Sequence, residues 1–382
     1  MALMAPPVAA QDVSITGQVR SRYETRDPVG DGSDAFTSMR VRAAIEAMID
    51  DNLTVFIQMQ DVRLWGEETN TLSDYRADNF DLHQGYVRYK GKNADWLTAI
   101  VGRQETNYGG QRLVGAVGWT QQGRSFDGVR FDVGDDWGTM SFVAYTLGEA
   151  TSAAVSTDSQ LYGTYMNFED LGSGDLDLYW LHDRVDGDAE TRQSTIGARY
   201  AFTGALNGRF EGSFQTGERA GTDVSAYMFG GRLGAAFAEG KASATLWYDY
   251  LSGDDASSME TEAFHTMYAT NHKFYGFADL FLNIPVHTGG AGLQDMALKL
   301  SWTPADRTRL GADFHSFYAA EEGGLSSTHF ANEIDLTLSH RVTSNFVLTT
   351  GLSYVNQDDA LAEIGRLNEN MHWFYLQLDA IF

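Results

Sequence analysis

The chain has no cysteine and only 5 prolines in 382 residues. The first absence excludes a disulfide framework and a thiolate metal site. It also suits an exported chain that must avoid mispaired thiols in an oxidising compartment. The second, beside 40 glycines and 13% aromatics, leaves long stretches free to be strand. No apolar run approaches the about 18 residues of a membrane helix, and mean hydropathy is -0.30. That excludes a helical membrane protein but not a transmembrane barrel, whose strands are polar at every second residue. Basic residues are scarce too: 27 Lys and Arg stand against 52 Asp and Glu, a net charge of -25 that argues against a nucleic-acid partner.

At 43% hydrophobic the chain is too apolar for disorder. Its length would ordinarily predict two or three domains, but one closed sheet can absorb all of it. In MALMAPPVAAQ, Val8-Ala9-Ala10 before Gln11 has the small-residue pattern of a secretory cleavage site. Residues 1–10 therefore read as the residue of a signal peptide or as a disordered apolar tail, and 11–382 as a single body.

What the chain does have is alternation. In the terminal MHWFYLQLDAIF, Phe374, Leu376, Leu378, Ala380 and Phe382 share one face, and Tyr375, Gln377 and Asp379 the other. Val41, Ala43 and Ile45 likewise oppose Arg40, Arg42 and Glu46, and Met296, Leu298 and Leu300 oppose Lys299. The polar faces carry too many charges to be the packed interior of a soluble barrel. Connections also sort by parity. Short turns at 50–52, 91–95, 134–138, 171–174, 204–208, 239–240, 304–306 and 343–345 separate longer acidic stretches at 27–35, 66–79, 109–123, 252–292 and 356–370. The pattern predicts an all-β fold: one transmembrane antiparallel barrel of about eighteen strands, with short periplasmic turns and long extracellular loops, in the outer membrane of a Gram-negative bacterium. Strand 13–26 would pair with 370–382 and close the sheet. The terminal Phe382 resembles the signal read by the barrel insertion machinery. That machinery, outer-membrane lipid and lipopolysaccharide are the expected partners of a monomer.

Two segments are more than periodic. GRQETNYGGQRLVGAVGWTQQGRSFDGVRFD (Gly102 to Asp132), and ATNHKFYGFADLF (Ala269 to Phe281) with the following HTGGAGLQD, resemble the alginate-export family of outer-membrane barrels. The resemblance covers most of the barrel in strand order. It implies about eighteen strands and an Arg-lined lumen that passes an anionic polysaccharide. The chain is shorter than the best-known exporters, and no periplasmic turn is long enough to form a plug.

Parity carried from the last strand turns Arg20, Arg22, Glu24, Arg40, Arg42 and Glu46 inward. It does the same for Arg88, Arg103, Glu105, Arg130, Asp132, Arg199, Arg209, Glu211 and Arg232. Lys299, Arg309, Asp313, Glu333, Asp335 and Arg341 complete the set. One reading is a cationic substrate pathway for carboxylates, which the planar guanidinium matches. The other is a ladder of Arg–Glu pairs bracing the wall, with Arg22/Glu24 and Arg209/Glu211 as local examples.

Acidic loop segments read as a solvated rim or as divalent-cation bridges to lipopolysaccharide, and none has the spacing of a calcium loop. Stretch 252–292 holds His265, His272 and His287 beside Phe274, Tyr275 and Phe277. Its histidines lack metal-ligand spacing, so neither metal nor cofactor is expected. The loop is expected to pack its aromatics over or into the mouth, as is RLVGAVGWTQQ (Arg112 to Gln122). In ADFHSF, Asp313 and His315 share a face while Ser316 points away, so this strand builds no Ser–His–Asp unit. The function expected is a channel for an anionic, alginate-like polysaccharide or oligosaccharide. A diffusion porin for small solutes is the alternative, and an outer-membrane hydrolase a third reading.

Overall fold

The computed structural model describes residues 10–29, 32–67, 80–150, 158–187 and 190–382. The first hairpin is β1 (Asp12–Val29) and β2 (Gly32–Met48), followed by β3 (Leu53–Leu64), β4 (Phe80–Gly91), β5 (Ala94–Gln104) and β6 (Phe126–Asp135). Next come β7 (Gly138–Gly148), β8 (Ser159–Leu171), β9 (Gly174–Val185), β10 (Thr191–Phe202), β11 (Asn207–Arg219) and β12 (Thr222–Phe237). The ring is completed by β13 (Ala242–Leu251), β14 (Leu293–Ala305), β15 (Thr308–Tyr318), β16 (His329–Arg341), β17 (Phe346–Gln357) and β18 (Met371–Ile381). Every pairing is antiparallel, and β1 bonds to both β2 and β18, so eighteen strands close on themselves. Closure leaves no edge with unpaired backbone groups, which lipid could not satisfy.

The last strand shows how alternation sets the faces. Phe374, Leu376 and Leu378 are 37–40% exposed on the outside, where lipid meets them, while Trp373 and Tyr375 are 0% and 4% exposed within. The final residue is seated by the first strand. Phe382 and Gly17 exchange both main-chain hydrogen bonds, at 2.8 and 3.0 Å. The Phe382 ring covers Gly17 so closely that a Cβ there would lie 2.2 Å from Cζ.

All eight expected turns join strand ends on the periplasmic side. Two extracellular connections depart from the expected pattern. The expected loop 27–35 is strand at its described residues: β1 and β2 stay paired through Arg26↔Asp34 and on to Val29↔Gly32. At 18 and 17 residues they exceed the about 9–11 needed for a tilted crossing and project beyond the membrane. β11 and β12 are joined by a tight hairpin at Ala220 and Gly221, both at positive φ (51° and 80°), the conformation that matches strand twist. Most of the expected loop 66–79 and part of 185–190 lie outside the described residues. In the connection 358–370 a short helix α1 (Asp359–Glu363) starts on Asp358, whose side chain accepts from the Asp359 N–H.

The hydrophobic core lies inside the barrel. Phe264, Phe274, Tyr275, Phe281 and Ile284 from 252–292 pack with Leu113 and Val114 from the β5–β6 loop and with Phe126, Tyr145 and Leu161 of the wall. Both loops fold inward because outer water would leave this apolar surface exposed.

Candidate functional site

The β5–β6 loop, residues 105–125, crosses the lumen against β1 and β2. Its carbonyls point at arginines. Arg20 donates to the carbonyls of Gly118 (2.8 Å), Trp119 (3.2 Å) and Thr120 (2.5 Å), and to the Gln121 side chain (2.9 Å). Arg22 donates to Trp119 O at 2.8 Å and to Glu24 at 2.8 Å. Arg40 reaches the carbonyls of Thr120 and Gln121, each at 3.2 Å. Arg42 and Gln60 both donate to Gln122 O. Carbonyls turned one way present a row of partial negative charge, and a guanidinium has five donors to meet it. Trp119 is held between the Arg22 guanidinium, 4.1 Å from its ring centre, and the His272 ring, stacked at 4.2 Å.

The β13–β14 loop, residues 252–292, interlocks with the first. Tyr268 N–H donates to Leu113 O, Gly115 N–H to Tyr268 O, and Thr270 N–H to Gln111 O, at 2.8–2.9 Å. Arg124 donates to the carbonyls of Gly115, Tyr268 and Ala269, and its burial there lowers its pKa. Arg112 sits fully buried, 2.8 Å from Asp249 and 3.3 Å from Glu211, with the Tyr275 hydroxyl at 2.9 Å. Burial works against its charge, but these partners outweigh it and raise its pKa.

On β16 the polarity reverses. Glu333 and Asp335 accept from the main-chain N–H groups of Ala278 (2.8 Å) and Phe277 (3.3 Å). Gly276 lets the chain pass: its φ is +78°, and a Cβ would stand 2.5 Å from the Glu333 carboxyl group. Farther round, Gln215 of β11 bonds both main-chain groups of His265 (2.8 and 2.9 Å), Arg219 of β11 donates to Ala263 O (3.0 Å), and Asp183 of β9 accepts from the Tyr268 hydroxyl (2.9 Å). In an eighteen-strand ring, β9 and β11 stand across from β1 and β2. The two loops therefore form a septum anchored on both sides of the lumen.

This changes the meaning of several arginines expected along a substrate pathway. Arg20, Arg22, Arg40 and Arg209 are 1–5% exposed and engaged with the septum or its neighbours rather than facing open lumen. Arg209 lies 3.9 Å from Glu211 and over the Trp247 ring. Arg103 was assigned to the lumen by parity but faces outward. It pairs with Gly85 and with Asp127, whose carboxylate it meets at 2.6 Å, while Ile100 on the same strand turns inward at 6% exposure. β5 is apolar on both faces, and the alternation that sets faces elsewhere is silent there. Four other inward arginines keep acidic partners: Arg42–Glu105 (3.1 Å), Arg88–Glu46 (3.5 Å), Arg130–Asp132 (3.0 Å) and Arg199–Asp177 (2.6 Å). Lys299 meets Asp313 at 2.8 Å and His315 Nε2 at 3.1 Å. His315 Nδ1 turns to Asp295, and Ser316 bonds Asn332 on the outer face. Arg341 is exposed at the periplasmic end of β16.

His272, Phe274 and Tyr275 are buried within the barrel, and Phe277 is half-buried. His272 is 2.6 Å from Asp279. Among the described residues, no three His, Asp or Glu side chains converge as a metal set. Sequence reasoning missed Lys273, whose ammonium has its pKa lowered by burial and then by Arg209, Arg232, Arg112 and Arg199. It also missed the partners that anchor the septum, Gln60, Asp183 and Gln215. Nothing local marks these, because what they bind is main chain or a distant hydroxyl.

Among the described residues, three roomy cavities flank the septum and share no lining residue with one another. The largest, about 830 Å³, opens outward between β1–β3 and the tip of the long loop, with Arg26, Trp119 and Arg366 on its walls. A second, about 480 Å³, lies on the periplasmic side, lined by Arg232, Lys299 and Arg309, by Asn207, Ser243, Thr245, Ser301 and Thr337, and by Trp247 and Phe277. The third, about 320 Å³, holds Arg199, Asp177, Tyr108 and Asn167.

A closed barrel with an apolar outer belt, a charged lumen and loops folded inside defines an outer-membrane channel of a Gram-negative bacterium. The model of the alginate export family matches residues 10–363, and the chain belongs to that family. Among solved structures it is similar to OpdO of Pseudomonas aeruginosa (14% identity, 98% of each chain covered, TM-score 0.70). It is also similar to OccAB3 of Acinetobacter baumannii (11% identity, 97% of this chain and 99% of that one, TM-score 0.69). The outer membrane protein OprD of Pseudomonas aeruginosa is similar too (12% identity, 99% and 95%, TM-score 0.67). At such identity these likenesses show the fold alone. No curated protein matches the chain.

Proposed function

We propose that the channel passes acidic saccharides, with uronate carboxylates guided by cations on the periplasmic side of the septum. The observation that supports this is the second cavity. Arg232, Lys299 and Arg309 converge there, and among the described residues only Lys299 is paired with a carboxylate. Around them lie hydroxyl and amide side chains that can replace water on a sugar. Arg232 and Lys299 also stand 5.4 and 5.2 Å from the Trp247 ring centre, whose π face makes their mutual approach less costly. A diffusion porin for small anions is the second reading, favoured by three separate cavities that need no polymer to fill them.

Reversal potential in a salt gradient tests the charge reading. Wild-type channels should prefer anions, and Arg232→Gln with Arg309→Gln should weaken the preference. A charge pair about 4 Å apart in water-like surroundings is worth about 1 kcal/mol, or roughly fivefold in partition, per arginine removed. A wild-type channel that prefers cations overturns the proposal. Anion preference with no response to uronates supports the porin.

A further inference from the structure

We propose that Lys273 is the specificity-determining residue of the channel. The septum holds its ammonium out into the lumen beside Arg232, and the carboxylate of a passing saccharide supplies a counter-charge that the protein does not. The proposal rests on the proposed preference for acidic saccharides and locates that preference in one side chain of a loop.

Lys273 ends the short 3₁₀ turn Asn271–Lys273, in which its two predecessors are buried and it is exposed. Flanking rings fix the turn: His272 stacks on Trp119 at 4.2 Å, and Phe274 meets Trp247 edge-on at 6.0 Å. The same two rings, Phe274 and Trp247, gather cations. Arg112, Arg209 and Lys273 stand 4.3, 5.6 and 5.7 Å from the centre of Phe274. Arg209 and Arg232 stand 5.1 and 5.4 Å from that of Trp247. Aromatic faces offset part of the repulsion among them.

Counter-charges are unevenly shared. Asp249 and Glu211 serve Arg112 and Arg209, and Asp177 serves Arg199 on β10. Among the described residues no carboxylate pairs with Arg232 or Lys273, and neither side chain donates a hydrogen bond. Arg232 is half-buried in the wall, whereas Lys273 carries its charge on a flexible four-carbon stem. A carboxylate entering between them meets one fixed cation and one that can follow it. A neutral sugar gains nothing from either charge. Protein around the stem, then Arg209, Arg232, Arg112 and Arg199, hold the ammonium below its ordinary pKa of 10.5. Tyr275 is a titratable neighbour of the cluster, its hydroxyl 2.9 Å from Arg112.

The test uses the full-length channel in planar bilayers. Lys273→Met keeps the stem beside Phe274 and removes the charge, and Lys273→Arg keeps the charge. Both should migrate as heat-modifiable barrels. In Lys273→Met the anion preference read from reversal potential should fall roughly fivefold, the worth of one charge about 4 Å away in water-like surroundings. The concentration of uronate dimer that halves the current should rise by a similar factor, while block by malto-oligosaccharides stays the same. Lys273→Arg should keep wild-type values. Raising pH should lower anion preference in wild type with a midpoint below 10.5, and less in Lys273→Arg, whose guanidinium keeps its proton. Unchanged selectivity and uronate block in Lys273→Met, with an anion-preferring wild type, overturn this assignment and leave the acidic-saccharide reading standing. A wild type that prefers cations overturns both. Equal losses in Lys273→Met and Lys273→Arg, or a wild-type preference that stays flat up to pH 10.5, also overturn the assignment.

Discussion

Replacing Arg20 by Met keeps the length and apolar stem of the side chain and removes its five donors. Four bonds are lost, three of them to the carbonyls of Gly118, Trp119 and Thr120. At a net value of about 1 kcal/mol each the loss would be roughly 4 kcal/mol. Arg22, Arg40 and Gln60 still hold neighbouring carbonyls, so about 2–3 kcal/mol is the better figure for release of the loop alone. That corresponds to roughly 30- to 150-fold more of the open form. Amide hydrogen exchange reads it at the N–H groups of Gly115 and Thr270, which bond the other loop and expose only if the septum parts. Exchange at both should accelerate by that factor, and single-channel current should become noisier. Global unfolding should change little, since the barrel ladder is untouched. Unchanged protection at Gly115 and Thr270 together with quiet current would mean that the arginine row does not hold the loop.

Three further outcomes follow from the same contacts. Gly276→Ala forces a Cβ against Glu333 at an unfavourable φ and should release the 276–278 segment, seen as lost protection at the Ala278 amide while barrel migration in gels is kept. His265 has its pKa pushed down to about 4 by burial and then by Arg219, against an ordinary 6.5. The released loop binds the proton first, so loop stability should fall as pH drops from about 6.5 towards 4, and His265→Gln should remove that part of the pH dependence of exchange. Deleting Phe382, or replacing Gly17 by Val so that the ring cannot lie down, should slow insertion and lower the amount of heat-modifiable barrel in the outer membrane. Normal levels in both variants would deny the terminal ring a part in assembly.

Much of the barrel was legible because lipid imposes a period of two. Phe374, Leu376 and Leu378 declared their face, and acidic or glycine-rich breaks declared the turns. Legibility failed where the period carried no contrast. β5 sets Leu97, Ala99 and Val101 beside Ile100, so Arg103 was turned the wrong way. On β4 a register shift leaves His83 as an extra residue facing the lumen. The arginines themselves were visible, but their purpose was not. A guanidinium that binds a carbonyl several strands later in the ring, 80 to 100 residues away in sequence, leaves no pattern in its own neighbourhood. The choice between Arg–Glu bracing and an open pathway omitted the arrangement found for Arg20 and Arg40, which hold a second segment of the same chain by its backbone.

That the wall grips main chain has a consequence for how such a channel diversifies. Carbonyls at 118–122 and amides at 277–278 are present whatever side chains those positions carry, apart from the bare passage at Gly276. Substitutions on the exposed sides of the two loops can therefore accumulate without loosening the fixture that suspends them. Variation in cargo preference becomes separable from variation in architecture: the same barrel can display a new inner surface by rewriting the exposed loop side chains, while the arginines and carboxylates that carry it stay unchanged.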